Sequence, residues 1–213
     1  MSYSAIADVS NALLEVMATN VAEHSPLDPN RIAVASPAEL GSLSDIDLVL
    51  CPYRIETDNS RGTVSRTTTE TTRQDPPLSL SIRYLVVPRA GENENDDAET
   101  QMSSIERQRL LGAALQIFHD TSRLEPDEVP VPLIQDEPLT ISITDEPFDD
   151  VLSLWSQYPD IDWRLAATIE VRPAMIQSLN EETFTRVEDR EAVLRSKPEQ
   201  APAESDEATP VDR

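Results

Sequence analysis

The groups in this chain that could do chemistry are two histidines, one cysteine, several closely spaced acids and a scatter of arginines. His24 and His119 fall at predicted helix ends, with no cysteine or second histidine near either, a poor spacing for a metal site. His119 reads as a solvated side chain at a helix C-terminus, where a cation is favoured. Cys51 lies in an apolar segment and, as the only cysteine, has no disulfide partner, so it is expected to serve as a small buried hydrophobe. Asp45 with Asp47, Asp149 with Asp150, and Asp160 with Asp162 have the spacing of metal or general-acid pairs, but among 40 acidic residues such pairs arise by chance. The four glycines, Gly41, Gly62, Gly91 and Gly112, are too dispersed to cradle a phosphate, and no serine occupies a nucleophile elbow. Trp155 and Trp163 could stack on a ligand, but both fall on apolar faces and are predicted to pack in the core. The expectation is therefore a protein that is not an enzyme, with no catalytic residue, no cofactor site and no metal site.

Arginine is the remaining candidate for recognition. Arg61, Arg66 and Arg73 stud a threonine-rich stretch from Asp58 to Asp75, and Arg54 leads into it. Guanidinium groups pair with carboxylates in a two-pronged geometry, so these four are candidate interface residues. The alternative is a solvated loop whose charges serve solubility.

Net charge is −23 and the isoelectric point about 4.2, and every basic residue except Lys197 is arginine. Abundant acid, almost no lysine and 4% aromatics together suggest a protein of a salt-rich cytoplasm. In molar salt the Debye length falls to about 3 Å, which screens repulsion among surface carboxylates. An acidic interaction protein or a nucleic-acid mimic would share the composition. Binding of nucleic acid through its phosphates is not expected at this charge. No apolar run approaches the ~20 residues that span a bilayer, so no membrane contact is expected. The N-terminal segment carries Asp8 and Glu15 without a basic start, unlike a signal peptide.

The elements that must carry these groups are legible from periodicity. Ile6, Val9, Leu13 and Met17 recur at three- and four-residue intervals, predicting a helix from about Ser4 to Ala22. A short strand at Arg31–Ser36 follows. Another runs from about Asp45 to Thr57, with an alternation that slips near Pro52, the mark of a bulge or a sheet edge. Asp58–Asp75 is read as a protruding hairpin arm that orders against a partner. Leu78 to Pro88 alternates apolar with polar between prolines and predicts an amphipathic strand. After an acidic loop, Ser103 and Glu106 fit a capping box for a helix with a stripe of Leu111, Ala114, Leu115 and Phe118. Leu139–Ile143 predicts a half-buried strand, Phe148, Val151, Leu152 and Trp155 a short helix, and Trp163–Val171 the last strand. Beyond Ile176 apolar content falls and a flexible acidic tail is expected. The sum is an α+β fold, a mixed, mostly antiparallel sheet with helices on one face, divided into a domain at 1–176 and a tail at 177–213.

The ordered set of blocks Met1–Ser10, Leu48–Ile55, Pro76–Pro88, Arg109–Asp120, Leu152–Trp155 and Trp163–Val171 resembles the cap, or tail-terminator, proteins of extracellular contractile injection systems of the antifeeding-prophage type. The resemblance runs from about Met1 to Ile176. It implies a structural subunit, made in the cytoplasm, that forms a six-membered ring. That ring would close the end of the inner tube and contact the last ring of sheath, as part of a phage tail-like particle that can be released from the cell. Its partners would be copies of itself, the tube protein and the sheath protein. The alternatives are an α+β domain with a small-molecule or catalytic pocket, and a baseplate or tail-completion adaptor of a related particle.

Overall fold

The computed structural model describes residues 2–21, 25–59, 67–68, 72–89, 104–127, 137–158, 161 and 164–183. In chain order these form α1 (Ala5–Thr19), β1 (Ile32–Val34), β2 (Leu48–Thr57), β3 (Thr67–Thr68), β4 (Thr72–Gln74), β5 (Leu78–Pro88), α2 (Ser104–Asp120), β6 (Arg123–Leu124), β7 (Leu139–Thr144), α3 (Phe148–Ser156), β8 (Ala167–Ile176) and β9 (Glu181–Thr183). A six-stranded sheet runs β1-β2-β5-β8-β7-β6, and a small sheet runs β3-β4-β9. The β1–β2 pair is parallel and every other pair antiparallel. The predicted α+β class, with a mixed and mostly antiparallel sheet, is the observed one.

Strand β5 is central because its residues satisfy both faces. Leu80, Ile82, Tyr84 and Val86 point into the larger core with Leu48 and Leu50 of β2 and Ile169 and Val171 of β8. Two helices cover that face. Val9, Leu13, Val16 and Met17 come from α1, and Leu110, Ala114, Ile117 and Phe118 from α2, the stripes that the 3.6-residue period predicts. Leu85 and Val87 of β5, with Val49 and Cys51 of β2, point the other way into a smaller core. Trp155 of α3 seals part of it, so the third helix lies on the opposite side of the sheet from the first two.

The alternation slip at Pro52 is a bulge, with the β2–β5 register shifting between Pro52 and Arg54. A bulge accepts an extra residue and hides the missing proline N–H at one stroke. The same solution appears where the sequence reading goes astray. The predicted last strand, Trp163–Val171, is instead Ala167–Ile176, and it passes through Pro173. Opposite Pro173 the β5–β8 register shifts between Leu80 and Ile82, so the proline sits at a second irregularity and need not end the strand.

Of the predicted arm, Asp58–Asp75, residues 60–66 and 69–71 lie outside the described residues. The described part includes β3 and β4, which pair antiparallel, and β9, from beyond β8, adds a third strand. Its base is fastened by Gln74 Nε2 donating to the Ser178 carbonyl at 2.5 Å and by the Asp75 N–H to the Asn180 carbonyl at 3.2 Å. His24, Arg61, Arg66, the acidic loop, Ser103, Trp163 and the tail after Thr183 lie outside the described residues. No described helix is long and apolar enough to cross a membrane.

Candidate partner interface

Past the part sealed by Trp155, the second face of the sheet turns polar. Three neighbouring strands place charged and polar side chains side by side: Arg54 and Glu56 on β2, Ser81 and Arg83 on β5, Glu170 and Arg172 on β8. Arg83 is the hub. Its guanidinium pairs with Glu146, from the turn before α3, and lies 3.5 Å from Glu56 and 3.9 Å from Glu170. Ser81 Oγ donates to Glu170 Oε1 at 2.7 Å, Arg172 reaches the other Glu170 oxygen at 3.9 Å, and Arg54 pairs with Glu56 at 2.7 Å. Burial works against the Arg83 charge, but Glu146, Glu56 and Glu170 outweigh it and raise its pKa. Tyr53 at the bulge is pushed up to about 12, first by burial and then by Glu146, with Arg83 acting in the opposite sense.

Three arginines and three glutamates make this patch electrically balanced on a chain of net charge −23. A balanced patch is where a second acidic surface would meet the least local repulsion. Most of these pairs are half-exposed, and such pairs contribute little to folding. Glu146 is the exception, its side chain being 6% exposed. Beside the patch a cleft of about 280 Å³ opens between Tyr53, Arg54 and Leu85 on the sheet and Asp150, Val151 and Leu154 on α3. A wider cleft of about 670 Å³ lies between the end of α1 and α2, lined by Asn20, Arg109, Gln116 and Asp120 among others. Among the described residues no three His, Cys, Asp or Glu side chains gather as a metal-holding group.

The candidate arginines do not form one cluster. Arg54 stands on the outer half of β2, exposed and paired with Glu56. Arg73 is exposed on β4, in the small sheet, and its cross-strand partner is Glu182 of β9. Cys51 is fully buried, and its thiol is pushed up to about 12, chiefly by burial and further by Glu39. Asp47 is buried and ion-paired with Arg31 at 2.9 Å, so the Asp45–Asp47 spacing belongs to a loop anchor. That anchor includes Arg89, 1% exposed, whose N–H donates to the Asp47 carbonyl at 2.6 Å and whose guanidinium donates to the Leu43 carbonyl.

The Arg83 hub was missed from sequence, although a signal existed. Arg83 is the single charge in an otherwise apolar and serine strand, and it falls on the same face as Ser79 and Ser81. What periodicity cannot supply is the identity of the strands on either side.

The family model of the Pvc16 N-terminal domain matches residues 8–189. No curated protein sequence is significantly similar to the chain. Among solved structures, the sheath/tube terminator of an extracellular contractile injection system (PVC), in its extended state, superposes with a TM-score of 0.60 at 13% identity, covering 92% of this chain and 65% of that one. The tube-terminating cap of the anti-feeding prophage superposes with a TM-score of 0.57 at 15% identity, covering 88% of this chain and 61% of that one. The chain thus spans less than two thirds of the length of either neighbour.

Proposed function

The chain belongs to the Pvc16 N-terminal domain family, and from that membership we propose that it is the structural terminator of a contractile injection particle. One observation carries the reading: 92% of the chain follows the fold of a sheath/tube terminator. In this role the subunit works by shape. It forms one wedge of a closed ring, taken as six-membered, whose contacts run head to tail between copies. One surface of the ring meets the last tube layer and another the last sheath layer, and the remaining surface offers no template for further growth. The balanced patch around Arg83 and the arm carrying Arg73 are the surfaces we assign to such contacts. Stable contacts of this kind bury at least ~1,000 Å².

On this reading residues 1–176 carry the terminator domain, and 177–213 form an acidic extension whose first part, β9, returns to the arm. The subunit is made in the cytoplasm, catalyses nothing, and binds neither nucleic acid nor membrane. The acid-rich, lysine-poor composition is an adaptation to high salt. Deleting the gene in the native host and imaging the particles tests the role. Tubes and sheaths of unregulated or aberrant length are the expected result, and rods of normal, capped length would overturn it. Sizing and negative-stain imaging of the purified chain in molar salt tests the ring, which fails if only monomers or dimers are found.

A further inference from the structure

We propose that α3 is a releasable cover, a helix that lifts from the second face of the sheet while the rest of the fold stays intact. The inference goes beyond the terminator role and holds or fails independently of it. Helix α3 is nine residues long, below the length at which a helix is stable by itself, and it buries one residue, Trp155. Helix α1 buries seven and α2 five. The Trp155 anchor is incomplete, since its indole Nε1 is buried without a hydrogen-bond partner, and a cleft of about 280 Å³ runs beneath the helix. No side chain caps the N-terminus of α3, where Pro147 precedes it. The hold at that end is the Arg83–Glu146 ion pair to β5.

The outer flank of α3 is also apolar, with Phe148 65% and Leu152 45% exposed. The helix therefore has apolar surface on two sides and burial on one. Lifting it would bare Leu85 on the sheet and Trp155 on the helix and open the smaller core that holds Val87 and Cys51. Local openings of this kind have free energies well below that of global unfolding.

Cys51 is the only thiol in the chain and is fully buried in the same smaller core as Trp155, so it can report an opening of that core. The experiment follows alkylation of Cys51 by N-ethylmaleimide in the full chain under native conditions, with hydrogen exchange across residues 148–156 and 78–88. Labelling faster than global unfolding allows is expected, with α3 exchanging well before β5. Glu146→Gln and Trp155→Ala should each quicken labelling by about tenfold or more. Labelling only at the global unfolding rate would overturn the proposal. So would equal protection of the two segments, or a quickening by Leu40→Ala as large as that by Trp155→Ala, which would assign the exposure to the loop around Leu40. If Trp155→Ala does not fold, Glu146→Gln and the exchange data decide.

Discussion

The hydroxyls of Ser10 and Tyr84 lie 2.9 Å apart in the interior and join α1 to the middle of β5. Ser10 also donates to the Ile6 carbonyl at 3.2 Å, so the Tyr84 hydroxyl is the donor between the two side chains. A serine on the buried side of a helix is tolerated here because both its hydrogen-bonding roles are filled.

Removing the hydroxyl by Tyr84→Phe leaves Ser10 bonded to its own helix and should cost about 1 kcal/mol. Ser10→Ala strands a buried hydroxyl and should cost more, about 1–3 kcal/mol. The double variant should cost less than the sum, as read from chemical-denaturant unfolding. Additive costs would mean that the two groups do not act as a pair.

Asp47 carries a pH prediction. Burial raises its pKa, Arg31 opposes this, and Asp28 and Asp45 add to it. An acid with a folded value above its unfolded one holds its proton more tightly in the folded state, so ionising it costs stability. That cost is absent below the unfolded value of 3.8 and complete above the folded value. The stability of Asp47→Asn relative to the parent should therefore improve as pH rises from about 3 to 7. Denaturant unfolding at several pH values gives the sign, and a change in the opposite direction would show that the Arg31 pair dominates.

Arg73 and Glu182 face each other across β4 and β9. Opposite charges at such positions contribute about 0.2–1 kcal/mol, and like charges reverse the sign. Arg73→Glu should loosen the small sheet, seen as faster hydrogen exchange in 72–74 and 181–183 with exchange in 78–88 unchanged. Arg73→Glu combined with Glu182→Arg should restore protection. Failure of that rescue would point to Arg73 acting outside the chain.

Salt supplies the fourth prediction. With a net charge of −23, self-repulsion should lower the melting temperature in millimolar salt relative to molar salt, and any ring should dissociate on dilution of the salt. Melting and oligomer mass that ignore salt would remove the adaptation to brine from the proposed role.

How much was legible in the sequence divides along physical lines. The α1 and α2 stripes and the alternation of β5 are local patterns, and they gave the helices, the central strand and the class. Pro52 announced its bulge because the alternation slipped within the strand itself. Around Pro173 no such local sign exists, because the irregularity that tolerates it lies across the ladder, at Leu80 and Ile82, and the predicted strand ends at Val171. For the same reason Arg83 looked like a solvent-facing charge until Glu56, Glu146 and Glu170, from three other parts of the chain, were brought around it. Of the four candidate arginines, Arg54 and Arg73 fall on different sheets, a separation no spacing in one dimension could reveal.

The third strand of the arm has a consequence for how the molecule is made. Residues 181–183 close onto 72–74 across more than a hundred positions, so the small sheet cannot be complete until the last long strand has been synthesised and docked. A nascent chain released early would carry a two-stranded fringe with a bare border, a shape ready to pair with a stranger. The small sheet comes into being as a finished object only after residue 183 has been made, which ties its availability to the integrity of the strands before it.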